Sequence, residues 1–136
     1  MGRIMGIDYG GKRSGISVTD PLQIIVTGLT TVDTKNLLQE IENYLNVNEV
    51  EKIVFGWPTH ADGNPTYVAK EITSFSEKIK QKFPNVIIDF IDESFSSQQA
   101  KEIIMNSAYT KKKRQDKALV DKVSAIILLQ KYLNHI

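Results

Sequence analysis

The sequence contains no cysteine, two histidines, one tryptophan and four prolines in 136 residues. Without cysteine there is no disulfide, no zinc–thiolate site and no thiol nucleophile. Histidine chemistry has little to draw on either. His60 is a loop residue, exposed or touching substrate, and His135 is next to last in the sequence. No apolar run approaches the length of a membrane span. The N-terminus lacks the apolar stretch of a secretory signal. Met1-Gly2 opens the sequence, but Gly6 stands where a myristoylation signal needs Ser or Thr. One sign of charge hardly exceeds the other: 17 Lys and Arg against 16 Asp and Glu give +1. A nucleic-acid partner would therefore be met by a local patch rather than by overall charge. What is present is ordinary for a soluble globular protein, with 41% hydrophobic and 24% charged residues. The length fits a single domain over residues 1–136 with one core. The expected location is cytoplasmic.

The stretch Gly6–Gly15 (GIDYGGKRSG) organises the chain. Apolar residues lead to Asp8; Gly10, Gly11, Lys12 and Arg13 follow; Ile16–Thr19 is a second β-like run. The pattern predicts a strand, a tight turn and a returning strand, with Asp8 near the end of the first. Gly10 and Gly11 permit unusual backbone angles and remove side chains that would hold a phosphate away. An acid at a strand end, beside open backbone and two cations, suits a metal held against a phosphate. The same residues are also common in plain hairpin turns.

Further along, Ile24–Thr27 and Leu29–Val32 predict a third strand bent at Gly28. Asp33 or Thr34 is placed to cap a helix carrying Leu37, Leu38, Ile41, Tyr44 and Leu45 at helical spacing. Lys52–Gly56 reads as a buried strand. A loop over residues 56–65 follows, with Asn64 as N-cap and Pro65 as first helical residue. Val68, Ile72, Phe75 and Ile79 form the next apolar stripe, which Pro84 stops. Val86–Ile91 predicts a strand running into Asp92 and Glu93. Ser96–Gln99 has the form of a capping box before another helix. A last helix is predicted over Lys117–Leu133. The order β-β-β-α-β-α-β-α-α predicts an α/β fold, a mixed sheet with helices on its faces.

Three acids stand out. Asp8 and Glu93 each end a predicted strand, where open α/β sheets place ligands. Asp121 shares a helix face with Ala125, Leu128 and Tyr132, a face otherwise apolar. A carboxylate aimed at a core is costly unless an ion or a cation partners it. A first-turn acid favoured by the helix dipole is the simpler alternative. Oxygen ligands without His or Cys select Mg²⁺ or Mn²⁺ over zinc. Two such ions between converging carboxylates suit phosphodiester cleavage.

With these residues in hand, the chain resembles the YqgF family of Holliday-junction-resolvase-like proteins and pre-16S rRNA nucleases. The resemblance is carried by Gly6–Gly15, by Gly56-x-Pro with Asp62-Gly63, by Asp92-Glu93, and by Val120-Asp121-x-x-Ser124-Ala125. It implies an RNase H-like fold with a five-stranded mixed sheet. It implies that Asp8, Glu93 and Asp121 bind the divalent metal and position the attacking water. Gly10, Lys12 and Arg13 would meet phosphate, and Asp62 would border the cleft. Two positions depart from the family pattern: Ser94 stands for an arginine, and Trp57 for an aliphatic residue.

Lys111, Lys112, Lys113 and Arg114 form the densest positive cluster, shortly before Asp121. They suit phosphate neutralisation, with Tyr109 able to stack on a base. The expected activity is metal-dependent endonucleolytic cleavage of structured RNA, as in 5′-end processing of pre-16S rRNA. The rivals are a resolvase on branched DNA and a non-catalytic nucleic-acid-binding module. A sugar-kinase-like ATPase would need a second lobe that this length does not provide. Partners are pre-rRNA ahead of branched DNA, with no membrane, and the protein is a monomer or a homodimer.

Overall fold

The computed structural model describes residues 2–58, 68–92 and 117–135. The opening stretch forms β1 (Arg3–Asp8) and β2 (Arg13–Thr19), paired antiparallel with Asp8 opposite Gly15. Both strands are buried along nearly their whole length. The apolar run of β1 is explained by cover on both faces rather than one.

β3 (Val26–Asp33) pairs antiparallel with β2, α1 spans Leu37–Val47, and β4 (Val50–Trp57) pairs parallel with β1. α2 spans Val68–Lys82, and β5 (Ile87–Asp92) pairs parallel with β4. α3 spans Lys117–Tyr132. The five strands lie in the order β3-β2-β1-β4-β5. The expected mixed five-stranded sheet is therefore present. The helix expected after Ser96, and the caps Asn64 and Pro65, lie outside the described residues.

Strand alternation divides the core. Met5, Ile7, Ile16, Val18, Ile53 and Phe55 point to one face and meet Leu37 and Ile41 of α1 and Ile72 and Ile79 of α2. Ile4 and Val54 point to the other and meet Leu128 and Leu129 of α3. Each such fully buried side chain contributes about 1.5–3 kcal/mol relative to exposure. Lys82 pairs with Glu42, tying α2 to α1.

Two expectations are corrected. Ile24 and Ile25 are not strand residues; they are exposed, at 60% and 63%. The Asp20 carboxylate accepts both of their N–H groups, at 2.7 and 2.8 Å, which a sheet ladder would otherwise need. The bend near Gly28 is a register shift in which Ile16 pairs with Thr30 and Ser17 with Gly28. Asp33 makes no side-chain cap bond. Thr34 turns its hydroxyl to the glycine turn instead. Among the described residues, no helix is long and apolar enough to cross a membrane.

Candidate active site

The turn between β1 and β2 is held by a small hydroxyl network. The Gly10 N–H donates to Ser14 Oγ at 3.2 Å, and Thr34 Oγ1 donates to the Gly10 carbonyl at 2.6 Å. The two hydroxyls lie 2.8 Å apart. The Thr34 N–H donates to the Lys12 carbonyl. Neither Gly10 nor Gly11 adopts a left-handed φ, so the expected need for unusual angles is not met. Gly10 is required for room: a Cβ there would lie 2.3 Å from the Arg13 carbonyl oxygen. At Gly11, among the described residues, nothing beyond the chain neighbours lies within 4 Å of where a Cβ would be, so the backbone there is open.

Asp8 ends β1 on the sheet face that carries α3, because Ile4 and Gly6 precede it at the two-residue period and both meet that helix. Its pairing partner Gly15 is in backbone contact with α3. A Cβ on Gly15 would lie 2.1 Å from the Asp121 carbonyl oxygen. Asp8 and Asp121, 113 positions apart, thus flank one glycine. Arg13 Nε donates to Asp121 Oδ2 at 3.0 Å, with both side chains partly exposed.

The aim of Asp121 is fixed by bonds to the sheet. Thr31 Oγ1 donates to the Ala118 carbonyl at 2.6 Å, and Ser17 Oγ to the Ala125 carbonyl at 2.7 Å. These carbonyls are seven residues apart, two turns on one helix face. Further along, the Tyr132 hydroxyl donates to Asp89 Oδ2 at 2.6 Å and accepts from Lys52 Nζ at 2.9 Å. The predicted apolar face is present, with Ala125 and Leu128 buried. Ser14, Thr34, Ser17 and Thr31 were not legible as site residues. A hydroxyl in the sequence carries no signal of the distant group that it bonds.

Glu93, Asp62, Lys111, Lys112, Lys113 and Arg114 lie outside the described residues. β5 ends at Asp92, beside Trp57. Among the described residues, no group of three or more His, Cys, Asp or Glu gathers as a metal cluster. The Asp121 backbone and Asp8 lie on either side of Gly15, and the Asp121 carboxylate has a cationic partner in Arg13. Carboxylate oxygens are the donor type that hard divalent cations take.

The profile of the family described as "RuvX: Holliday junction resolvase" matches residues 2–135. A protein of Porphyromonas gingivalis named "Putative pre-16S rRNA nuclease" is 46% identical, over 99% of this chain and 98% of its own length. A relative of the same name in Flavobacterium psychrophilum is 43% identical, over 98% and 97%. Among solved structures, the fowlpox virus Holliday junction resolvase is similar with a TM-score of 0.58, at 12% identity, over 98% of this chain and 99% of its own. T. thermophilus RuvC in complex with Holliday junction substrate is similar with a TM-score of 0.59, at 13% identity, over 99% and 96%. At these identities the structures speak for the fold, which is the RNase H-like fold expected from the sequence. By profile and by relatives, the chain belongs to the RuvX family, the same family that its opening motif resembles under the name YqgF.

Proposed function

We propose that the chain is a metal-dependent endonuclease of structured RNA, acting at the 5′ end of pre-16S rRNA in the cytoplasm. The observation that carries this is the packing of the Asp121 backbone against Gly15, the strand partner of Asp8, beside an open glycine turn. The relatives' name supplies the substrate class.

Asp8, Asp121 and Glu93 are the residues that would hold Mg²⁺ or Mn²⁺. In β5, Asp89 and Ile91 fall on the α3 face. The ion, when bound, supplies activation of a water and stabilisation of the leaving oxygen. The chain's own groups do the rest. Gly10 and Gly11 let a sugar–phosphate approach the backbone. Lys12 is exposed at the turn and meets a phosphate. Arg13 balances Asp121 and presents its remaining N–H donors to a phosphate oxygen. Asp62, Lys111, Lys112, Lys113 and Arg114, outside the described residues, are kept as proposed substrate contacts.

Branched DNA is the second substrate to weigh, because the family profile and both solved structures are described by the Holliday junction. Symmetric cutting of a junction needs a dimer, whereas trimming RNA does not. Cleavage of a pre-rRNA 5′ fragment and of a four-way junction decides between them, with Asp8→Asn as control. The expected result is cutting of the RNA, reduced about 10²–10³-fold by Asp8→Asn. Cutting of the junction alone would move the substrate to DNA. No cutting of either would overturn the proposal.

A further inference from the structure

Tyr9 follows Asp8 directly, and the two side chains leave the end of β1 on opposite faces of the sheet. Asp8 lies on the α3 side. Tyr9 packs on the α2 side, its ring 5.6 Å from that of Phe75 and inclined at 52°. There it walls an open groove of about 360 Å³ with Lys70, Glu71, Ser74, Phe75 and Lys78. Lys70, Ser74 and Lys78 recur at i, i+4 and i+8, so they form one exposed edge of α2 about 12 Å long. Neither lysine forms an ion pair with another described residue. Burial and then the Glu71 charge hold the Tyr9 phenol above its ordinary value, so it remains a neutral aromatic donor.

We infer that this groove is a subsite for an unpaired nucleotide strand flanking the cut, with a base stacked on Tyr9 and phosphates on Lys70 and Lys78. The inference rests on the nuclease reading for its substrate class. An aromatic face between two cations is the recurrent arrangement for single-strand binding. A duplex hides its base faces and would press phosphates toward Glu71, whereas an unstacked base offers an amino edge to that carboxylate. Position agrees: Asp8 and Tyr9 are one residue apart, about 3.8 Å between Cα atoms. A strand leaving the acids passes over the Gly10–Gly11 turn into the groove.

The test is fluorescence anisotropy of a short labelled unstructured RNA, in chelator so that nothing is cut. Wild type is compared with Lys70→Ala/Lys78→Ala and with Tyr9→Leu. The lysine pair is exposed, and circular dichroism confirms folding of each variant. The lysine variant is expected to bind about tenfold more weakly. Its slope of log affinity against log salt should fall by about 1.4, two phosphates at about 0.7 each. Tyr9→Leu is expected to lose about tenfold with the slope unchanged. A lysine variant with wild-type affinity and slope overturns the subsite, as does a mononucleotide that displaces the strand, which would mark a free-nucleotide pocket. Cleavage is read separately. A protein that cuts RNA but ignores the lysine change keeps the nuclease and loses the groove. One that binds through the groove without cutting does the reverse.

Discussion

Gly15 shows how one residue carries the site without any chemistry of its own. It pairs with Asp8 across the hairpin and bears the Asp121 carbonyl on its α-carbon. Its place in the glycine-rich motif was visible in the sequence. Its reason was not, because the contact is with a helix 106 positions away. Asp121 stood out in the sequence for the opposite reason: a lone acid on an apolar helix face is anomalous by itself. Gly15→Ala forces a methyl against backbone that cannot swing aside. It is expected to destabilise by about 1–3 kcal/mol or more, seen as a lower urea midpoint. Gly11→Ala enters open space and should stay within about 0.5 kcal/mol of wild type. Equal midpoints for the two variants would mean that α3 does not rest on Gly15.

At the level of elements, α3 is the piece whose placement matters most. Periodicity located it to within a residue of its end, Tyr132 against the expected Leu133. Periodicity gave no account of the strand hydroxyls that bond Ala118 and Ala125, nor of the Lys52–Tyr132–Asp89 chain. Those depend on which strands become neighbours. The start of β3 failed for a local reason: Ile24 and Ile25 have strand-like side chains, but Asp20 captures their N–H groups.

The tyrosine network has a defined pH window. The Tyr132 hydroxyl, then the Phe90 N–H, hold the Asp89 carboxyl below its ordinary value. Its contribution is complete above about pH 4 and fades as pH falls through the lowered value. The same hydroxyl holds Lys52 above its ordinary value. That contribution is complete below about pH 10.4 and fades as pH rises through the raised value. The stability difference between wild type and Tyr132→Phe should therefore be flat from about pH 5 to 9 and should narrow below about pH 4. Urea titrations across pH measure it. A step near neutrality would assign the difference to some other group.

Across the described residues, a sheet carries α1 and α2 on one face and α3 on the other, and the end of that sheet is where distant parts meet. Element order alone predicted the mixed sheet, since parallel and antiparallel pairings follow from which connections are short and which contain helices. The strand order β3-β2-β1-β4-β5 puts β1 in the middle. An acid at its end is therefore reachable from β2, from α3 and from the end of β5. This topology brings residues spread over the sequence to one end of the sheet, where the proposed nuclease site lies. The most direct test is a Mn²⁺ titration by calorimetry of the wild-type protein and of Asp121→Asn. Wild type should bind Mn²⁺, and the variant should lose more than the roughly 10–100-fold that altering an outer-shell partner costs. Equal Mn²⁺ affinity in the two proteins would show that Asp8 and Asp121 do not form one metal centre.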